Sequence, residues 1–433
     1  MKRILFLLLL SNGALQVSHA QEFLSLDSAI VRALANNYDV RIADVSTQIA
    51  SANYTKGNAG LLPTVDGTGN VNQGLANTRL QRTEGTVIEN KAASTFSYSA
   101  GLNASYTVFA AGRAFLIYKQ LGRQEAFADA QLRAQIQATI SAVIQAYAGA
   151  VNDQRQLVAI DTAIALAKTR MDLSKAKYDI GTSAKVDYLQ GRVDYNAARS
   201  LRLAQEASRA ASLALLNEAM GEDAEHTYQV ADSLELNLAL TPADSSLLES
   251  RSPLLDAQRI NIEIANLDKR IARTFYYPAL NVTAGYGYTR TTSDASLTLS
   301  NRSFGPNAGL GITVPIFQGG NVHRQVQVAS LNALSAELQY NRLERSLSRQ
   351  YRTAWTAYQN AVAVYRLEEE NQGYAKENLD IQQARFRVGI ASSLEIREAE
   401  NSYVTTLARL NAAAYRVKLN ETKVLEIEAR LAE

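Results

Sequence analysis

Residues 136–178 read IQATISAVIQAYAGAVNDQRQLVAIDTAIALAKTRMDLSKAKY, and this stretch decides the fold. It lies in a proline-free segment from Gly112 to Gly181, which at about 1.5 Å per residue predicts a helix on the order of 100 Å long. Because a seven-residue apolar repeat underwinds helices into a left-handed supercoil, this helix needs partners along its side. The residues of that repeat are Ile136, Val143, Ala150, Leu157, Ile164, Met171 and Tyr178.

A second proline-free segment, Gly320 to Gly389, has the same repeat, which only the polar Gln372 interrupts. Its apolar members are Tyr351, Tyr358, Tyr365, Leu379 and Phe386. Landmarks of the two segments keep one offset of 208 residues: Phe109 with Phe317, Gly112 with Gly320, Tyr178 with Phe386, and Gly181 with Gly389. One offset kept along a whole helix predicts an internal duplication of helix, two strands, long helix and return helix.

The first 20 residues have the pattern of a secretory signal peptide. Lys2 and Arg3 precede a short apolar run at positions 4–10, and Ser18-His19-Ala20 supplies small residues before the expected cut. The alternative is a membrane-anchoring helix, but the apolar run is well short of the ~20 residues that a span needs. We therefore expect a mature chain that begins at residue 21.

Composition argues against several classes of site. The signal peptide holds two of the 44 Lys and Arg residues, so the mature chain has as many of them as it has Asp and Glu, 42, and no basic excess suggests nucleic acid. Without cysteine there are no disulfides or thiolate sites. No phosphate-binding glycine loop, HExxH zinc motif or Ser/His/Asp set is present. We expect no enzyme activity, no metal and no cofactor.

Between the helical segments the side-chain period changes to two. From Phe96 to Val108, apolar and aromatic residues hold the even positions and Ser, Gly, Asn and Thr hold the odd ones. This alternation is typical of strands with one apolar and one polar face. We predict strands at about 64–75, 95–108, 279–289 and 303–314, joined in pairs by polar loops at about 76–94 and 290–302.

Such strands suit a half-buried soluble sheet or a sheet with one face in lipid. Their length, the tyrosines near their ends, and the lack of a compact core beside such long helices favour lipid. Four strands cannot close a barrel, and open edges are not tolerated in a bilayer, so several chains must share one barrel.

These elements predict a division of the chain into two copies. The parts are the signal peptide 1–20, a first repeat 21–220 with long helix 112–180 and return helix 185–220, a linker 221–252, and a second repeat 253–433 with long helix 320–388 and return helix 393–429.

Four short motifs in this order resemble the TolC-like outer-membrane factor family of bacterial efflux and secretion channels. They are Ala59-Gly60-Leu61-Leu62-Pro63, Tyr178-Asp179-Ile180-Gly181, Val314-Pro315-Ile316-Phe317-Gln318-Gly319-Gly320-Asn321 and Phe386-Arg387-Val388-Gly389-Ile390. The resemblance covers essentially the whole mature chain. It implies a mainly α homotrimer whose strands form a 12-stranded β-barrel in outer-membrane lipid and whose helices form a 12-helix α-barrel in the periplasm.

The same resemblance implies the function. Family members are passive exit ducts of tripartite efflux or type I secretion systems, opened at their periplasmic helical tips by an adaptor and an inner-membrane transporter. The alternative is an adaptor-like coiled-coil structural protein, but adaptors carry one hairpin and this chain has two copies. The cargo can equally be a small toxic compound, a metal ion or a polypeptide.

The resemblance also indicates the docking turns. Exposed turns that meet the adaptor match Ile180-Gly181-Thr182 and Val388-Gly389-Ile390, although Thr182 departs from the apolar residue of the family. The alternative, that Gly181 and Gly389 only end their helices, is compatible with the docking role.

The entrance is implied by position. The acidic entrance residues of the family correspond to Glu395 and Glu398, with Asp187 as the equivalent in the first repeat. In a trimer they form carboxylate rings that favour cations; the alternative is an ordinary solvated helix face. An arginine that closes the entrance in some members is replaced by Ala391 here. We therefore predict Lys185 as a gate contact to Glu395 or Glu398.

Overall fold

The computed structural model describes residues 22–242, 250–294 and 299–431. The expected signal peptide, 1–20, and residues 243–249 of the predicted linker lie outside these ranges. The chain divides into two compact units. The described part of the helical unit comprises residues 22–41, 136–242 and 350–431, and that of the strand unit comprises residues 42–135, 250–294 and 299–349.

The described chain is mainly helical, as predicted, with one four-stranded sheet. Its elements in order are β1 (Glu22–Phe23), α1 (Leu26–Asn36), α2 (Tyr38–Asn53), β2 (Thr64–Gln81), β3 (Val87–Phe109), α3 (Arg113–Asp179), α4 (Lys185–Met220), β4 (Tyr228–Gln229), α5 (Pro253–Thr274), β5 (Ala279–Ser293), β6 (Ser300–Thr313), α6 (Asn321–Arg387) and α7 (Ser393–Ile427).

The two long helices have equal lengths. Helices α3 and α6 each contain 67 residues, and their first residues, Arg113 and Asn321, are 208 positions apart. Each is preceded by a helix and two strands and followed by a return helix. This order is what the internal offset predicts, while a duplication as its origin stays a prediction.

The four strands are longer than the alternation predicts. Strands β2 and β3 continue to a tight connection in which the Arg82 amide donates to the Thr86 carbonyl at 2.9 Å, so most of the expected loop 76–94 is paired strand. Strands β5 and β6 likewise extend into the expected loop 290–302. Backbone ladder bonds do not depend on apolar side chains, so polar strand ends give no periodic signal.

The sheet has the order β2-β3-β5-β6, with every neighbouring pair antiparallel. Residues that are direct partners across the ladder share a face, so the register assigns every side chain to one of two faces. The apolar face carries Val65, Leu102, Val282, Tyr286, Tyr288, Phe304, Leu310 and Ile312. The polar face carries Thr68, Asn70, Ser99, Asn103, Asn281, Thr283, Gly285, Gly287, Asn307 and Gly309.

Gly285 is a position on the polar face where only glycine fits without displacing its neighbours. A Cβ there would lie 2.6 Å from Asn307 Oδ1 and 2.8 Å from Asn103 Oδ1, so the two amide side chains occupy the space above it. A larger residue would displace both.

Three of the seven heptad residues of α3, Val143, Ala150 and Leu157, are buried in the helical unit, whereas Tyr178 is 40% exposed. Val143 and Ala150 are fully buried, and with Leu216 of α4 they belong to one cluster that also covers α1. The Tyr147 hydroxyl donates to the Leu24 carbonyl at 3.0 Å and accepts from the Ala231 amide at 3.1 Å. Alanine at many of these positions lets the helices approach closely.

The strand unit has a smaller helical contact between α3 and α5. Ala130, Ala257 and Ile260 are buried together there. Arg133 pairs with Asp256 at 3.0 Å and Arg123 with Glu263 at 2.9 Å. Both ion pairs are partly exposed, so the apolar contact contributes more to stability than they do.

Candidate functional site

The two turns that follow α3 and α6 have the same backbone geometry. Gly181 and Gly389 have φ of +77° and +81°, and the next amides, of Thr182 and Ile390, each donate to a carbonyl five residues earlier at 2.9 Å. This is a Schellman cap, in which a left-handed residue lets the chain satisfy the last helical carbonyls. The interpretation of both glycines as helix ends is therefore confirmed.

The turns also present apolar side chains to solvent. Ile180, Val388 and Ile390 are exposed by 74%, 70% and 69%. A Cβ at Gly181 or Gly389 would meet no atom within 4 Å, so nothing in the described chain covers these turns. Exposed apolar clusters on helix ends are typical of a protein contact surface. The docking role of these five residues, Ile180, Gly181, Val388, Gly389 and Ile390, stays a prediction.

A lysine fastens the two turns to each other. Lys177 Nζ of α3 donates to the Phe386 carbonyl oxygen of α6 at 2.6 Å and lies 4.1 Å from the centre of the Phe386 ring. The last carbonyls of a helix have no intrahelical donor, so a lysine from a neighbouring helix stabilises them. Sequence reasoning missed this contact because Lys177 resembles any solvated lysine near a helix end.

Each of the three predicted entrance carboxylates lies on the first turns of α4 or α7. Asp187 Oδ2 accepts from the Ser183 hydroxyl at 2.7 Å. Glu395 forms a capping box with Ser392, whose amide donates to Glu395 Oε2 at 2.7 Å. Glu398 is exposed and makes no ion pair in the described part of the chain. The structure thus gives Glu395 a helix-capping role and Asp187 a hydroxyl partner in Ser183, and the pore-facing role of all three carboxylates stays a prediction.

The Glu395 carboxyl is held in its ionised form. Hydrogen bonds from the Ser392 backbone amide and hydroxyl keep its pKa below the usual value, and Arg385, 4.0 Å away, adds to this effect. A lowered folded-state pKa means that the stabilisation is complete at neutral pH and is lost only as the pH falls through that lowered pKa.

Lys185 stands at the start of α4, exposed to solvent. Within the described ranges it forms no ion pair, and the cation beside Glu395 is Arg385. The predicted contact of Lys185 with Glu395 or Glu398 is therefore not formed inside this chain. A contact between neighbouring subunits stays a prediction.

Ala391, which follows the second of these turns, is 7% exposed. It packs in a buried cluster with Leu379, Phe386, Ile396 and Ala399. A guanidinium at this position would have to leave the cluster or lose its hydration.

A buried ion-pair cluster lies on three helices near the turns, and sequence reasoning missed it. Arg170 of α3 lies 2.8 Å from Asp194 Oδ2 of α4 through Nη2 and 2.9 Å from Glu400 Oε2 of α7 through Nε. The side chains of Arg170 and Glu400 are 4% and 8% exposed. Burial raises the pKa of the Glu400 carboxyl, and the attraction of Arg170 opposes that rise. Through these two ion pairs Arg170 connects α3 to α4 and to α7.

The described ranges hold no group of three or more His, Asp and Glu side chains placed to bind a metal ion. Separately, none of the described helices carries a stretch that is both long enough and apolar enough to cross a bilayer.

Comparison with known proteins identifies the family. The family model described as outer membrane efflux protein matches residues 29–222 and 245–427, which overlap most of both predicted repeats. The chain belongs to the outer membrane efflux protein family. The resemblance read from the four sequence motifs is thereby confirmed, and the adaptor-like alternative is not favoured.

Relatives of this family member cover most of its length. The outer membrane efflux protein BepC of Brucella suis biovar 1 is 22% identical over 99% of this chain and 91% of its own. The outer membrane protein TolC of Vibrio cholerae is 22% identical over 73% of each chain. The crystal structure of the Campylobacter jejuni CmeC outer membrane channel superposes with a TM-score of 0.78 at 20% identity, over 94% of this chain and 85% of that one.

This efflux family member is a protein of the bacterial outer membrane with its helical part in the periplasm. The family is one of efflux channels and not of enzymes. The predicted localisation and transport class are therefore confirmed.

Proposed function

We propose that this protein is the outer-membrane duct of a tripartite efflux or type I secretion system, and that it works as a homotrimer. Three chains contribute four strands each to a 12-stranded barrel, and their helices continue it as a 12-helix tunnel in the periplasm. The observation that carries this proposal is the sheet, which has an exposed apolar face, a polar face and two unpaired edge strands.

The unpaired edge strands of the sheet support a barrel that several copies of the chain share. In the described chain β2 and β6 each pair with one neighbour only, so each has an edge of free amides and carbonyls. Such groups cost several kcal/mol each in a bilayer, where water cannot satisfy them. Pairing β6 of one copy with β2 of the next removes every edge once the ring closes. The polar face then lines the pore.

The side chains on the two faces of the sheet support an orientation with the apolar face in lipid and the polar face toward the pore. Leu102, Phe304 and Leu310 on the apolar face are 61%, 63% and 68% exposed. A large continuous apolar surface of this kind is not stable in water but suits lipid. The facing residues of the other side are mainly Gly, Ser, Thr and Asn, which leave room for solvent.

Two helices also carry uncovered apolar stripes. Helix α2 exposes Tyr38, Ile42, Val45 and Ile49, and α6 exposes Leu331, Leu334 and Leu338. Each set follows helical spacing, so it forms one face of its helix. Neighbouring copies in the trimer cover these faces.

The duct is passive, and its partners open it at the periplasmic tips. An adaptor docks on Ile180, Gly181, Val388, Gly389 and Ile390, and the inner-membrane transporter supplies the energy. Asp187, Glu395 and Glu398 surround the entrance as rings of carboxylates. The Arg170 cluster and the Lys177 contact hold α3, α4, α6 and α7 together while the entrance is closed.

The assembly is tested by mass and conductance. We expect the mature protein in detergent to have three times the mass of one chain by light scattering. In a planar lipid bilayer it should form discrete ion-conducting channels. A monomer that never conducts would contradict the proposal.

Glu398→Gln is expected to lower the preference of the channel for cations, because the carboxylate is exposed and makes no ion pair in the described chain. Reversal potential across a KCl gradient measures this preference. Glu369→Gln removes the same charge from an exposed position on α6 and is the matched control, which should leave the reversal potential unchanged. Equal values for both variants and the wild type would mean that Glu398 does not face the pore.

A further inference from the structure

Two arginines lie side by side on the apolar face of the sheet. Arg290 of β5 and Arg302 of β6 are direct partners in the ladder, and both are exposed. Like charges directly opposite each other on one face of a sheet are destabilising. Across the described residues neither guanidinium forms an ion pair with a carboxylate, so this chain does not neutralise the pair.

Aromatic rings hold the arginines in place. The Arg302 Cζ atom lies 5.4 Å from the centre of the Tyr288 ring and 5.5 Å from that of Phe304. Tyr98 of β3 is the ladder partner of Arg290, and its ring lies 5.9 Å from that of Tyr288. Arg302 therefore stands over two ring faces, which favours a fixed position on the surface, and Arg290 lies beside it with Tyr98 as its other ladder partner.

The position of the pair along the strands corresponds to the headgroup level. Apolar side chains on this face of β5 run from Leu280 to Tyr288, and those of β6 run from Phe304 to Ile312. Each run spans nine positions, which is the length that a tilted membrane strand needs to cross the hydrocarbon. Arg290 and Arg302 form the next row, toward the loop and away from the helices. Aromatic residues at the end of such a run mark the membrane interface.

We propose that Arg290 and Arg302 together bind the phosphate group of a lipid headgroup in the outer leaflet of the outer membrane. This inference rests on the proposed function, because it needs the apolar face to contact lipid. A guanidinium offers two parallel donors to phosphate oxygens. When Arg290 and Arg302 bind one phosphate as a clamp, its negative charge offsets the repulsion between the two guanidinium groups. A phosphate monoester suits the clamp best, since it carries more than one negative charge at neutral pH.

The test uses the intact trimer in nanodiscs of phosphatidylcholine with increasing phosphatidic acid, whose headgroup is a phosphate monoester. Native mass spectrometry counts the bound lipids. We expect the wild type to retain phosphatidic acid, and Arg290→Gln with Arg302→Gln to weaken its binding by about fivefold for each arginine removed.

A matched control removes an arginine whose charge is already paired. Arg79 of β2 is exposed and lies 3.2 Å from Glu89, so Arg79→Gln should leave lipid binding unchanged. Conductance of the double variant separates the two proposals. If it forms channels but binds phosphatidic acid like the wild type, the lipid site is wrong and the duct stands. If the wild type forms no channels, the duct itself is wrong.

A further arm distinguishes lipid from free phosphate. Inorganic phosphate is added to the trimer in lipid-free detergent and to the loaded nanodiscs. We expect no binding in the first case and no displacement in the second, because a lipid is held by its chains as well as by its headgroup. Binding or displacement at millimolar phosphate would overturn the assignment to a lipid.

Discussion

Leu102→Arg is expected to remove this protein from the outer membrane, whereas Gly287→Arg, on the opposite face of the sheet, is expected to leave it there. Leu102 lies on the apolar face and is the ladder partner of Tyr286. Its neighbour Gly101 pairs with Gly287, so both substitutions lie at the same height in the sheet. The cost of an arginine on the lipid face is about 2–4 kcal/mol at the bilayer midplane, and a trimer incurs it three times.

Gly287→Arg is the matched control because it adds the same side chain where space exists. A Cβ at Gly287 would meet no atom within 4 Å, and the surrounding polar face is made mainly of glycine, serine, threonine and asparagine. The variant should assemble and conduct less current with a weaker preference for cations, since the new charges line the pore.

Membrane fractionation and single-channel recording measure the two outcomes. We expect Leu102→Arg to be lost from the outer-membrane fraction and Gly287→Arg to be recovered there. If both variants reach the membrane equally, the apolar face is not in lipid. If Gly287→Arg fails and Leu102→Arg succeeds, the two faces have been assigned the wrong way round.

Much of the architecture could be predicted because it follows from local periodicity. A seven-residue repeat without proline predicts α3 and α6, and Gly181 and Gly389 mark where the chain must turn back. Alternation predicts the strands and separates their faces before any register is known. These signals need only neighbours in sequence.

The remaining features depend on which elements become neighbours. The Arg290 and Arg302 pair exists only because β5 and β6 adopt one register, and a shift by one residue would put the two arginines on opposite faces. The Lys177 contact requires the ends of α3 and α6 to meet. The strands extend into the predicted loops because backbone hydrogen bonds pair them there. The polar side chains of these residues give no periodic signal of that pairing.

The Arg170 cluster is the feature that is hardest to predict from the sequence, because nothing there distinguishes Arg170, Asp194 and Glu400 from surface charges. Their burial follows from the lateral order of α3, α4 and α7. A buried charge is tolerated only when it is paired, so the three helices are held in the arrangement that keeps the pairs intact. If α7 moves away from α3, Arg170 and Glu400 lose each other first.

Arg170→Ala is therefore expected to cost about 3–5 kcal/mol of unfolding free energy, because it leaves the Glu400 carboxylate buried without its partner. It should also raise single-channel conductance, since α4 and α7 are no longer tied to α3. Arg170→Lys keeps the charge and should lie between Arg170→Ala and the wild type. Thermal unfolding of the detergent-solubilised trimer measures the first effect, and bilayer recording measures the second.

The Glu400→Gln variant distinguishes the role of the Arg170–Glu400 ion pair in holding the helices together from its contribution to the free energy of unfolding. Burial raises the folded-state pKa of Glu400 above its unfolded value, so its ionised form disfavours folding. As the pH falls from neutral through the raised pKa, protonation relieves that cost and the unfolding free energy contributed by Glu400 rises. Protonation also weakens the attraction to Arg170, so the entrance should loosen over the same range.

Lowering the pH toward the usual glutamate pKa should therefore raise the conductance of the wild type. Over the same pH range the contribution of Glu400 to the free energy of unfolding should not fall. Two other charged groups face Glu400: Asp194 of α4, which belongs to the cluster, and Arg387 of α6, which lies near it. In Glu400→Gln, which cannot titrate at this position, the pH response of the conductance should disappear and the neutral-pH value should already be high. A variant that keeps the pH response of the wild type would show that Glu400 takes no part in holding the entrance closed.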